Sequence, residues 1–339
     1  MNFKGTKFVH IDWHTDYDKY ILSTCQNNLP NVFLNNPPDK RAHTLLWFLY
    51  KIHMSDKSNA FFKLPFKRLW NPCFLEKRIR KNLSKDDKIV FLFSDSTYKY
   101  NDNNLIAYFK KKYPHCCTAY VLPDKVTLYQ LNDKNFSIEQ LKKIFDFVLS
   151  YNDLDVQKYD LIKEPLKPLT FYEIEDDEKI DASDVFFVGR EKGRLDDILH
   201  VYKIAKQMNL KCDFTILDVP EDKRLYSEDI EYDKRLSYIQ MLKRAKRSKA
   251  ILNIMQSGSD GITLRDYEAI GMNKILITNS TAVKSLPAFN DEMVVNFKNL
   301  ENELSKIVHY DSTISWKENN ITSCNDYYSK LQEILRTDS

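Results

Sequence analysis

The stretch DVFFVGREKGRLDDILHVYKIAKQMNLKCDFTIL, residues 184–217, decides the reading of the fold. It opens on an apolar run, 184–189, that does not alternate. A run that is apolar on both faces suits a central parallel strand. A polar turn holding Gly189 and Gly193 follows. From 194 to 208, Leu195, Ile198, Leu199, Tyr202 and Ala205 recur at i, i+3 and i+4, the stripe of an amphipathic helix. A second apolar run closes the stretch at 211–217. Strand, helix and strand in that order build doubly wound α/β sheets.

The same alternation extends in both directions. Apolar runs at 7–12, 88–93, 117–122 and 145–150 lie upstream, and runs at 249–254, 273–278 and 292–297 downstream. A second helical pattern occupies 233–248. Between the two sets, 163–183 holds two prolines and an acidic cluster, the composition of a hinge. The chain has 339 residues, more than one core usually serves. The expected architecture is α/β, with two Rossmann-like domains facing each other across a cleft, at 1–165 and 166–322. A C-terminal helix at 323–339 can pack back on the N-terminal domain.

Net charge is +3, too mild to argue for nucleic acid as a partner. No apolar run reaches the ~20 residues of a membrane span. The N-terminus has no apolar signal segment. Six cysteines form no C-x-x-C pair, so reduced thiols are expected. These features predict a cytoplasmic protein, either soluble or held at the inner face of the cell membrane.

Ligands of doubly wound sheets bind beyond the carboxyl ends of the strands. The loop at 188–197, VGREKGRLDD, sits at such an end. Gly189 and Gly193 let its backbone turn tightly. Arg190, Lys192 and Arg194 supply cations, and the helix that follows points amides back at the loop. This suits a diphosphate, although a plain turn with solvated basic residues has the same composition. Neither a P-loop pattern nor G-x-G-x-x-G occurs, which sets aside P-loop ATPases and dinucleotide dehydrogenases.

A second loop and short helix, QSGSDGITLRDYEAIG at 256–271, follow the run at 249–254. Ser257, Gly258 and Gly261 permit close backbone approach. LRDYEAIG, 264–271, reads as a short helix closed by Gly271, and a start near Ile262 would aim the amides of Ile262, Thr263 and Leu264 at an anion. Glu268, two turns in, could accept both hydroxyls of a ribose, and Asp260 those of a sugar. Singly, Asp260 could be a loop cap and Glu268 an acid paired with Arg265. The loop after 211–217, with Asp218, and the neighbourhood of Tyr238 are placed to grip a base.

These residues carry a resemblance. The second half resembles the nucleotide-sugar-binding domain of GT-B glycosyltransferases, many of which hold the donor diphosphate with a glycine-arginine turn and a lysine. Asp260-Gly261-Ile262-Thr263-Leu264-Arg265-Asp266-Tyr267-Glu268 is similar to the family's E-G-F-G-L-x-x-x-E, with Asp260 for the first Glu and Thr263 for the second Gly. Over about 184–280 the pattern is closer to the enzymes of bacterial capsule, exopolysaccharide and lipopolysaccharide synthesis. The resemblance implies that Arg190 and Lys192 hold the diphosphate, Glu268 the ribose and Asp260 the donor sugar. It implies a UDP-linked donor, retention of configuration, no metal and no cofactor. The acceptor would be a glycan or polyprenyl-linked sugar. A nucleotide-sugar epimerase of the same fold, and a non-catalytic nucleotide-sugar-binding protein, are the alternatives.

The first half says less. Asp95, just past the run at 88–93, is a candidate general base for an acceptor hydroxyl, or a helix cap. His10, Asp12 and His14 have the spacing of metal ligands on one strand face. Three such residues without further partners are read as no metal site. The stretch 61–82 interleaves aromatic and basic residues, as on an anionic membrane surface or on a solvated face. The basic run 242–249 is read as solvated.

Overall fold

The computed structural model describes residues 5–11, 15–35, 45–53, 55, 65–70, 79–94, 104–122, 124–127, 130, 136–165, 174–256, 261–317 and 322–335. The chain divides into two compact units. One comprises Met1–Pro168 and Thr322–Ser339, the other Leu169–Ile321.

The first unit is built on a six-stranded parallel sheet. Its strands are β1 (Thr6–Ile11), β2 (Val32–Asn35), β3 (Lys88–Phe93), β4 (Cys116–Leu122), β5 (Phe147–Ser150) and β6 (Ile162–Lys163). They lie in the order β2-β1-β3-β4-β5-β6. Its helices are α1 (Asp16–Asn28), α2 (Leu45–His53), α3 (Asn104–Lys112), α4 (Ile138–Ile144), α5 (Asp153–Tyr159) and, from the far end of the chain, α11 (Cys324–Ile334). The non-alternating runs have a direct cause, because both sheet faces are covered. Ile89, Phe91 and Phe93 of β3 enter one apolar cluster with Phe109 and Leu141. Val90 and Leu92 enter another with Ile21, Tyr327, Tyr328 and Leu331.

Helix α11 is tied to this unit by polar groups as well. Tyr328 Oη lies 2.8 Å from His10 Nε2, Gln332 Nε2 donates to Thr6 Oγ1 at 2.7 Å, and Tyr327 Oη donates to Glu164 Oε1 at 3.2 Å. His10, which shares metal-ligand spacing with Asp12 and His14, is fully buried in this contact. Asp12 and His14 lie outside the described residues.

The expectation of reduced thiols needs correction. Cys25 of α1 is bonded to Cys324 at the start of α11, with their Cα atoms 5.4 Å apart. A separation of 299 residues hides this pairing from any spacing rule. Cys116, Cys117 and Cys212 are free and partly buried, and burial pushes their thiols up to about 11, 12 and 12.

The second unit repeats the architecture with β7 (Ser183–Arg190), β8 (Cys212–Leu217), β9 (Glu231–Tyr232), β10 (Ser248–Asn253), β11 (Ile275–Thr278) and β12 (Val294–Asn296). The order is β12-β11-β10-β7-β8-β9, and all pairs are parallel. Among its helices are α6 (Leu195–Gln207), α7 (Tyr238–Lys246), α8 (Leu264–Gly271), α9 (Leu300–Glu303) and α10 (Ser305–Val308). Helix α6 ends with Asn209 at φ 57°; the Asn209 amide donates to Lys206 O and the Leu210 amide to Ala205 O. This left-handed stop satisfies the last carbonyls.

The basic run 242–249 is not solvated, which corrects its reading. Arg244 is paired with Asp213 and Glu231, Lys243 with Asp177, Arg247 with Asp176, and Lys249 with Asp184. The acidic cluster of the hinge-like segment thus supplies partners to α7 and its C-terminal end.

Candidate functional site

In the second sheet the strand order reverses between β7 and β10. A parallel sheet opens a crevice at such a switch point, beyond the carboxyl ends of the two strands. The loop after β7 and the loop before α8 leave from there. Several of the sequence candidates, those in the β7 loop and at the start of α8, therefore lie at one end of this sheet.

The β7 loop turns through two left-handed residues, Lys192 at φ 42° and Gly193 at φ 74°. Its cations point in different directions. Arg190 is half-exposed and pairs with Asp218, itself left-handed at φ 64° just after β8. The Asp218 amide donates to Asp233 Oδ1 at 2.9 Å. Arg194, by contrast, turns inward. Its guanidinium donates to Ile254 O at the end of β10 and to Arg190 O, and stacks over Phe187 with 5.7 Å to the ring centroid. Gly189 makes room for this: a Cβ there would stand 3.1 Å from Phe187 Cζ and 3.2 Å from Arg194 Nη2. Lys192 is exposed and forms no ion pair among the described residues. The Gly193 amide donates to Glu191 Oε2 at 2.8 Å.

Among the described residues Arg194 thus holds its charge against carbonyl oxygens, not a carboxylate. Burial and the neighbouring charge of Arg265 both push its pKa down. With Arg265 offset by Glu268, it is Arg194 that leaves local positive charge for an anion at the strand switch point.

Helix α8 spans Leu264–Gly271, the stretch read as helical, so Glu268 lies little more than one turn in, not the two turns that a start near Ile262 would give. Its cap differs. Gly271 is the last helical residue, and Asn273, at φ 51°, provides the left-handed stop. The start is built around Asp266, which is buried. Its carboxylate accepts from the Thr263 amide at 2.6 Å, from Thr263 Oγ1 at 2.9 Å and from Asn253 Nδ2 at 2.8 Å. The Thr263 amide, expected to meet an anion, is therefore engaged within the capping box. Gly261, at φ 103°, turns the chain into this start.

Glu268 is 1% exposed. Oε1 accepts from Tyr238 Oη at 2.9 Å and Oε2 from Arg265 Nη1 at 2.5 Å. Arg265 also donates to Val188 O of β7 at 3.2 Å. Burial pushes the Glu268 and Asp266 carboxyls up, against the pull of these partners. The structure brings together Gly189, Arg190, Asp218, Tyr238, Gly261, Thr263, Leu264 and Glu268 around the ends of β7, β8 and β10. Ser257, Gly258 and Asp260 lie outside the described residues, as does Asp95. Sequence reading passed over Asn253 as a site residue. Its signal was its place at the end of an apolar strand, where a buried polar residue must find partners. Among the described residues no cluster of three or more His, Cys, Asp or Glu could hold a metal ion.

No protein-family model and no curated protein matches the sequence. Solved structures do. One is a provisionally assigned UDP-N-acetylglucosamine 2-epimerase from Listeria monocytogenes, at 10% identity and a TM-score of 0.53, covering 98% of this chain and 96% of that one. Another is an α,α-trehalose-phosphate synthase (UDP-forming) from Burkholderia vietnamiensis, at 10% identity and 0.53, covering 97% and 98%. Both match along nearly their whole lengths. The fold is the GT-B class, with two Rossmann-like α/β units in one chain.

Proposed function

We propose that the protein is a glycosyltransferase that takes a sugar from a nucleotide diphosphate donor, UDP-linked, and passes it to a glycan or polyprenyl-linked acceptor. The observation that carries this is Arg194 at the β7–β10 switch point, whose guanidinium has only carbonyl partners among the described residues. The resemblance over 184–280 supports an acceptor of the surface-polysaccharide kind.

The donor diphosphate would bind between the β7 loop and the start of α8. Negative charge grows on it as the bond to the anomeric carbon breaks. Arg190, Lys192 and Arg194 would stabilise that charge without a metal or other cofactor. Arg190 would exchange Asp218 for phosphate. Each carboxylate oxygen has two lone pairs, so Glu268 could accept ribose hydroxyls while keeping Arg265. Tyr238, bonded to Glu268, would then lie beside the nucleoside. Asp260 would face the donor sugar, and Asp95 would take the proton of the acceptor hydroxyl. Retention of configuration goes with the Asp260–Glu268 spacing.

Calorimetry with UDP tests the donor site. Binding to the wild type with at least about tenfold loss in Arg194→Ala and Glu268→Ala is expected, the scale of one charged hydrogen bond. Equal affinity in all three would remove both residues from the site. Failure of every nucleoside diphosphate to bind would overturn the reading. The crystal structures of similar fold include one named as an epimerase. Isomerisation of a sugar nucleotide with no acceptor present would assign the site to that reaction instead.

A further inference from the structure

Helix α2, Leu45–His53, is an apolar helix turned inside out. Leu45, Phe48, Leu49 and Ile52 recur at i, i+3, i+4 and i+7, the pattern that normally marks a core-facing stripe. Here these four and Leu46 are between 43% and 75% exposed. The opposite side packs inward: Tyr50 is buried with its ring edge-on to Trp70 at 5.6 Å, and Trp70 Nε1 donates to His53 Nδ1 at 2.8 Å. That contact joins α2 to the short helical turn Lys67–Trp70, which adds two more outward side chains. Leu69 is 67% exposed, and Phe66 is 65% exposed with φ 65°, a left-handed backbone that a bulky residue rarely adopts.

The stretch of sequence that carries this face is basic. Residues 40–82 contain eleven Lys or Arg and two acids, in a chain whose net charge is only +3, so the remainder is net acidic. Lys51 and Arg68, beside the apolar side chains, are both exposed, and Lys51 Nζ sits 5.3 Å from the Trp47 ring centroid.

We propose that the face of α2 and the Lys67–Trp70 turn docks on an anionic lipid bilayer, with its leucines and phenylalanines in the headgroup boundary and Lys51 and Arg68 on lipid phosphates. An exposed apolar helix face with cations beside it is the pattern of an interfacial helix. A second copy of the chain is a poorer occupant, because a symmetric contact sets this basic segment against itself. Nucleic acid would use the cations but leave the leucines without a role. The proposal rests on the first unit alone and is independent of the donor reading.

Co-sedimentation of the full chain with vesicles tests it. Phosphatidylcholine vesicles with about one third phosphatidylglycerol should pellet the protein, pure phosphatidylcholine should not, and about 0.5 M NaCl should release it. Two double variants separate the components: Phe48→Asp with Leu49→Asp, and Lys51→Glu with Arg68→Glu. All four side chains are exposed, so wild-type melting is expected, and each variant should bind at least about tenfold more weakly. No binding of the wild type to anionic vesicles overturns the proposal. Unchanged binding by both variants does so too. A dimer in sedimentation equilibrium that Phe48→Asp with Leu49→Asp splits would assign the face to a contact between copies, and also overturn it.

Discussion

Arg190 and Arg194 stand four residues apart in one loop and meet different partners. Sequence composition showed that the loop was cationic. It could not show which cation turns inward, because that depends on Phe187, Gly189 and Ile254, which the fold assembles. The pairing of Arg190 with Asp218 has a measurable consequence if the loop binds a diphosphate. Asp218→Asn releases Arg190 and should tighten UDP binding by about threefold, the scale of a partly exposed ion pair. Glu268 offers a pH test. Burial raises its folded pKa above the unfolded value, so the folded state holds the proton more tightly. The stability this contributes is complete below about pH 4.3 and is lost as pH rises through the raised folded value. Gln does not titrate. The melting temperature of Glu268→Gln, relative to wild type, should therefore move in the variant's favour between pH 4 and pH 7, the range about the ordinary value.

At the scale of elements, the apolar runs and the strongest helical stripes were legible, and other elements were not. β3 was read at 88–93 with its observed bounds, and α6 within a residue at each end, because a two-sided apolar run and a 3.6-residue stripe are strong local signals. β2, β6 and β9, of four, two and two residues, were not read, and for β6 and β9 two residues are too few for any pattern to register. The end of α8 was assigned to Gly271 on residue type, whereas the left-handed position fell to Asn273. The same stop at Asn209 is exposed and can be tested. Asn209→Gly should stabilise the protein by about 0.5–1 kcal/mol and Asn209→Val destabilise it by about 1–2 kcal/mol in urea unfolding. Asp266→Ala should cost about 2–3 kcal/mol by the same measurement, since it leaves the buried donors of Asn253 and Thr263 without their acceptor. The basic run after Met241 was misread because its acidic partners come from 174–184 and from β8 and β9, far away in sequence.

At the scale of the whole molecule, the two parallel α/β sheets were readable from the alternation of runs. The bond between Cys25 and Cys324 was not, because no local pattern links residues at opposite ends of the chain. Cys324→Ser should lower stability by about 3 kcal/mol, the usual worth of a native disulfide, and non-reducing peptide mapping should recover Cys25 and Cys324 in one linked pair from the wild type. The placement of α11 also bears on synthesis. Tyr327, Tyr328 and Leu331 complete the apolar cluster on one face of the first sheet, yet they are made after the entire second unit. A ribosome therefore extends a first unit whose cluster has a missing wall. The second unit, continuous in sequence, can close while that wall is still being translated. The first half of the chain finishes folding last, and a nascent chain stalled before residue 322 carries an open apolar face for chaperones to cover.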